Sequence, residues 1–143
     1  MIATIEFLGQ VNYLAILVAA LAYFALGALW YSVLFQKTWS KGIEEMGIKM
    51  SMPGKGAMGM MMLKSFLWNL LAVFSMAFII NALYLYNPTG ALKLGIVGGA
   101  GFSLASLGMT ANWTGTKTSV LVIDAGYQIC GIAIASLIIG SWH

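Results

Sequence analysis

Four apolar runs dominate the sequence: Val11 to Phe35, Leu63 to Tyr86, Ala91 to Trp113 and Thr118 to Trp142. Each is long enough to cross a hydrocarbon layer as a helix, which takes about 20 residues. None alternates polar and apolar residues as a barrel strand does, and a helix is the other way to satisfy every backbone group in lipid. Composition points the same way: 61% of the 143 residues are hydrophobic and 8% charged, against roughly 25% charged in a soluble domain. Seven lysines and four acids cannot cover a core with a polar skin, so the apolar surplus must face lipid. The sequence predicts an all-α membrane protein, a four-transmembrane-helix bundle forming a single domain over residues 1–143. The segment before the first run has no Lys or Arg and one acid, Glu6. A secretory signal needs a basic start and a shorter apolar core, so the first run reads as a retained span.

Two of the links are short. Asn87-Pro88-Thr89-Gly90 is a turn signal between spans two and three, and Trp113 to Lys117 joins spans three and four. The long connection, Gln36 to Met62, places Trp39, Ile43, Met46 and Met50 at i, i+4, i+7 and i+11, with Lys41, Glu44, Glu45 and Lys49 on the other faces. That pattern predicts a short amphipathic surface helix from Trp39 to Met50, with Trp39 at headgroup level. Lys37, Lys41, Lys49, Lys55, Lys64 and Lys117 fall on one side of the membrane and Lys93 on the other. Positive residues stay inside, so both termini are expected outside a bacterial inner membrane. Aromatic residues mark both boundaries, with Trp30, Tyr31, Trp39, Phe66, Trp68 and Trp113 on the lysine side and Tyr13, Tyr84, Tyr86 and Trp142 opposite.

Asp124 is the acid inside a span. Ionisable groups at depth are costly and point to function. Gln128, Gly131 and Ala135 share its helix face, with Tyr127 at i+3. Counting from the lysines brings Asn69, Tyr31 and Asn112 to the same level, so Asp124, Gln128, Tyr127, Tyr31, Asn69 and Asn112 are the candidate ligand or ion contacts. Hydrogen-bonded glue between helices is the competing reading and is favoured over a site. Asn12 and Asn81 read as glue or helix-end groups. Rows of small residues, Gly95/Gly99/Ser103, Gly101/Ala105, Gly131/Ala135 and Ser136/Gly140, pack either the monomer or two copies.

Other chemistry is thin. Met50, Met52, Met58, Met60, Met61 and Met62 cluster around the long connection, and thioethers suit Cu(I). No His or Cys accompanies them, so adaptable apolar contact is favoured. Cys130 lies in an apolar run and His143 is terminal. No metal-ligand spacing, cofactor motif, phosphate loop or nucleophile–base pair is present, so no metal, no cofactor and no enzymatic activity are expected. The absence of Arg argues against nucleic acid.

The segments Val11-Asn12-Tyr13-Leu14-Ala15, Leu26-Gly27-Ala28-Leu29-Trp30-Tyr31-Ser32 with Lys37 and Trp39, Gly101-Phe102, and Ile123-Asp124-Ala125-Gly126-Tyr127 carry a resemblance. Together they resemble a bacterial integral-membrane family, domain of unknown function 1761, over about Val11 to Trp142. Where that family's pattern often has proline after Trp-Tyr-Ser this chain has Val33, and where it often has histidine after Asp-Ala-Gly-Tyr it has Gln128. The resemblance implies a small four-span protein and no particular activity. The expected function is a non-enzymatic membrane protein that self-associates as a homo-oligomer or binds a partner membrane protein. The alternative is a small carrier or channel for an ion or small molecule using the Asp124 cluster.

Overall fold

The computed structural model describes residues 2–142, with the side chains of residues 6–142. The described elements are helical: α1 Ile2–Gln10, α2 Tyr13–Leu29, α3 Gln36–Glu45, α4 Lys55–Ala82, α5 Pro88–Gly98, α6 Ala105–Thr114 and α7 Thr118–Ser141. A π-helical turn, Trp30–Leu34, extends α2, and a second, Gly99–Leu104, joins α5 to α6. Four helices are long and apolar enough to cross a membrane: Tyr13–Leu34, Lys55–Ala82, Pro88–Thr114 and Thr118–Ser141. The protein is a multi-pass all-α membrane bundle.

Two boundaries differ from expectation. Span two begins at Lys55 rather than Leu63, because the Met-rich stretch is itself helical. Met, Leu, Ala and Lys are good helix formers, and Pro53 stops the helix from reaching further back. At 28 residues α4 is longer than the hydrocarbon core requires, so its first turns overhang at the lysine-rich end. Asn87-Pro88-Thr89-Gly90 is a helix start rather than a turn. Asn87 Oδ1 accepts from Gly90 N at 2.7 Å, and Pro88 takes the first helical position, where its missing N–H costs nothing. The chain instead reverses over Leu83 to Leu85, where Tyr84 takes a positive φ of 51°. The sequence did not signal α1 either, whose Phe7 is buried edge-on against Phe74 and Phe78, at 5.5 and 5.1 Å between ring centroids.

The long connection holds a shorter helix than its periodicity predicts. α3 stops at Glu45 instead of running to Met50. Gly47, at φ 80°, donates to Glu44 O at 2.9 Å while Ile48 N donates to Ile43 O at 3.3 Å. That paired closure is a Schellman motif, which ends a helix on a left-handed residue. Nor does α3 lie with Trp39 toward lipid. Gly42 is buried against α7, close enough that a Cβ there would stand 2.5 Å from Val120 Cγ2. Lys117 of the α6–α7 link pairs with Glu45 of α3.

α7 is the central helix, packed by α2, α4 and α5. Its small residues set these approaches. A Cβ on Gly131 would enter the Tyr23 ring of α2, one on Gly95 would meet Ser136 Oγ at 2.7 Å, and one on Gly99 would meet Ile129 Cα at 2.8 Å. The rows Gly95/Gly99, Gly131/Ala135 and Ser136/Gly140 are therefore used inside the monomer. Gly101 has nothing within 4 Å. Span three leans on the outer side of α7, so α2, α4 and α7 form the core. At the end opposite the lysine-rich one that core is built from Ile16, Ala19, Ala20, Val73, Ala77, Ile80, Ala135 and Ile139, with Ser136 as a buried hydroxyl that has no hydrogen-bond partner among the described residues. There Asn12 caps α2 by accepting from Ala15 N at 3.0 Å, and Asn81 donates to the Tyr86 hydroxyl at 2.8 Å.

Gly131→Leu should displace the Tyr23 ring and destabilise the bundle by about 1–3 kcal/mol, the usual cost of overpacking. Gly101→Ala, at an open position, should leave stability unchanged. Thermal unfolding of both variants in detergent checks the contrast.

Candidate functional site

The polar residues of the lysine-rich half converge on one face of α7. Asp124, Tyr127 and Gln128 stand at i, i+3 and i+4 and so lie together. α2 answers with Tyr23, Gly27 and Tyr31 at four-residue intervals, α4 with Asn69, and α3 with Trp39.

The layer nearest the lysine-rich end centres on Asp124, which is half-buried. Its Oδ1 accepts from the Tyr31 hydroxyl at 2.7 Å and from Trp39 Nε1 at 2.9 Å. The two donor rings meet edge to face, 5.2 Å between centroids. Trp30 Nε1 donates to the carbonyl of Ile123 at 3.0 Å. Adjacent residues Trp30 and Tyr31 thus both reach α7 at the π turn, where Phe35 N donates to Trp30 O, five residues back, at 2.9 Å. Such bulges recur at functional sites. Gly126 admits the indole, since a Cβ there would stand 3.0 Å from Trp30 Cζ2.

One turn deeper, Asn69 is buried at 7% exposure and its Nδ2 donates to the Tyr127 hydroxyl at 3.0 Å. Gly27 makes room for that hydroxyl, which a Cβ would approach to 2.9 Å. The deepest member is the bond from the Tyr23 hydroxyl to Gln128 Oε1. Tyr127 links the layers, its ring 5.2 Å from Tyr23 and 5.4 Å from Tyr31.

Beside these layers a cleft of about 570 Å³ opens between α2 and α4. Tyr31, Asn69, Tyr127 and Gln128 form its polar floor, with Phe24, Met61, Met62 and Trp68 among its walls. It opens sideways, and Met61, Met62, Ser65 and Trp68 are exposed along its rim.

Of the six candidates, Asp124, Tyr31, Tyr127, Gln128 and Asn69 come together. Asn69 bonds Tyr127 rather than Asp124. Asn112 does not join them: it is exposed on α6, because span three packs on the far side of α7 and of α6 only Ala111 is buried. Residue counting finds depth along the membrane but not which side of a helix a neighbour occupies. Three residues were missed as site members. Trp30 and Trp39 read as headgroup-level aromatics, yet their indoles point inward to bond α7. Tyr23 carried a legible signal, a hydroxyl in mid-span eight residues before Tyr31 on the same face. The reading of His143 lies outside the described residues.

These features define a class: a four-span helical membrane protein with a hydrogen-bonded polar node in one half, an apolar core in the other and a lateral cleft beside the node. The chain belongs to the family described as Protein of unknown function (DUF1761), whose model matches residues 14–140. All the residues of the node and cleft fall within that match. No curated protein and no solved structure matches the chain.

Asp124→Leu should leave the Tyr31 hydroxyl and the Trp39 indole without their acceptor and destabilise the protein by about 1–3 kcal/mol. Asp124→Asn keeps an oxygen for both donors and should stay near the parent. Unfolding in detergent measures the difference, and proteolysis within α3 should quicken for Asp124→Leu alone.

Proposed function

We propose that this protein is a non-catalytic membrane binding protein that takes its ligand or partner from within the bilayer, through the cleft between α2 and α4. The carrying observation is the form of that cleft. Its walls are mostly apolar, its floor is polar, and it lies between two spanning helices, an arrangement that supports entry from the lipid side. Its volume falls in the range of ligand pockets, about 300–1,000 Å³. The Asp124 layer supports this role as scaffold, because its donors and acceptor are engaged with one another. The conduit alternative needs polar lining in the other half of the bundle, where Ile16, Ala20, Val73, Ile80 and Ile139 pack together.

A photoreactive side chain at Ser65, on the rim, should give a discrete adduct in native membranes, which Ala28→Trp should abolish by filling the cleft. The same group at Phe102, exposed on span three, should give diffuse lipid labelling only. Indistinguishable products from the two positions would overturn the reading.

The orientation proposed with it places the lysine-rich end in the cytoplasm and both termini on the opposite side, on the strength of Lys37, Lys41, Lys49, Lys55, Lys64 and Lys117. An impermeant thiol reagent added from outside, with Cys130 replaced by Ser, should label a cysteine at Trp142 and spare one at Lys55. The reverse pattern would invert the topology.

A further inference from the structure

We infer that the cleft between α2 and α4 holds an anionic glycerophospholipid, with its charged headgroup at Lys64 and an ester carbonyl on the amide floor; this rests on the reading of the cleft as a binding site. The floor supplies the first constraint. Gln128 Oε1 already accepts from Tyr23, while its Nε2 makes no hydrogen bond among the described residues. One N–H of Asn69 goes to Tyr127, and an amide nitrogen carries two. The floor therefore offers spare N–H donors but no cation. A neutral carbonyl fits such a place, whereas a bare phosphate or carboxylate would lose its hydration without a counter-charge.

The charge lies one level higher. Lys64 follows Met61 by three residues and precedes Trp68 by four, so it stands beside them on α4, next to the cleft lining rather than within it. It is exposed and forms no ion pair among the described residues. It precedes Asn69 by five residues, about 7.5 Å along the helix axis toward the lysine-rich end. A membrane-boundary lysine attracts anionic headgroups. Charge outside and carbonyl donors inside is the order in which a glycerophospholipid carries its phosphate and its esters. A free fatty acid places charge and carbonyl in one group and cannot serve both levels. Phe24, Met62 and Trp68 then line the path of the acyl chain.

Retention of lipid by the full-length protein, read by native mass spectrometry after exchange into defined mixtures, tests the assignment. Phosphatidylglycerol should be retained over phosphatidylcholine by about fivefold, the effect of one lysine near the charge. Lys64→Gln should bring the two to parity. The diether analogue of phosphatidylglycerol, which lacks both carbonyls, should be held about fivefold more weakly than the diester. In detergent, with only the retained phosphatidylglycerol brominated, its acyl chains should quench the fluorescence that Trp68→Phe removes, and Ala28→Phe should prevent the quenching. Equal retention of the two headgroups by the parent, or of diester and diether, overturns the lipid assignment while a cleft-dependent adduct at Ser65 leaves the binding reading standing. A Ser65 adduct with a protein helix in place of lipid likewise overturns the assignment alone. Absence of both retained lipid and a cleft-dependent adduct removes the two together.

Discussion

A carboxyl group in a spanning helix must find hydrogen-bond donors within the protein, and the lysine-rich half of this bundle is arranged around that requirement. Insertion scales put the cost of a carboxylate at mid-span at about 2.5–3.5 kcal/mol, and less toward the boundary, where Asp124 stands near the start of α7. Asp124 meets it with donors from two other segments, Tyr31 at the end of span one and Trp39 on α3. Both must arrive from different directions at one oxygen. The π turn after Leu29 lets Trp30 and Tyr31 both reach α7, and Gly42 lets α3 come close enough for Trp39 to reach. Removing either device would strand one donor and leave the carboxyl oxygen with the other alone.

The four spans were legible because the constraint behind them is crude. Only an apolar helix of sufficient length satisfies its backbone in lipid, so Tyr13–Leu34 and Thr118–Ser141 match the apolar runs closely. The local devices were harder. Asn87-Pro88 is written alike in a turn and in a helix N-terminus, and only the bond from Gly90 to Asn87 distinguishes them. Gly47 was a readable stop for α3, overridden in the periodicity by Met46 and Met50. At the site, Asp124 was found as the acid inside a span, and Tyr31 and Asn69 by depth along their helices. Asn112 was included by the same arithmetic and is misplaced, because depth says nothing about azimuth. Trp39 was missed for a related reason: an indole near the boundary satisfies the belt pattern whether it faces lipid or turns inward to a carboxylate.

The cleft follows from which side chains α2 and α4 present in each half. Toward the end opposite the lysine-rich one, Ala19 and Ala20 of α2 and Val73 and Ala77 of α4 are fully or nearly buried in the core. Toward the lysine-rich end α2 offers Gly27 and Ala28 while α4 offers Met61, Met62 and Ser65, which remain exposed. Gly27 has its space taken by the Tyr127 hydroxyl coming from α7. Small residues on α2 thus do two things. In the apolar half they shorten the distance to a neighbour, and in the polar half they admit a tyrosine from behind and leave the front open.

Tyr31 belongs to both the node and the cleft, which ties them mechanically. Its ring lines the cleft floor, its hydroxyl holds Asp124, and Asp124 in turn holds Trp39 of α3. A molecule that moved the Tyr31 ring would have to stretch or break a 2.7 Å bond to an acceptor shared with the surface helix. Conversely, α3 is fixed at its other end by the buried approach of Gly42 to Val120 and by the exposed pair of Glu45 with Lys117. Exposed pairs contribute little, about 0–1 kcal/mol, so the buried approach and the shared carboxyl oxygen carry most of the attachment. The cleft floor and the carboxyl oxygen that holds the surface helix are therefore joined through one tyrosine, which is why the polar node, although its groups bond one another, bears directly on what the cleft can accept.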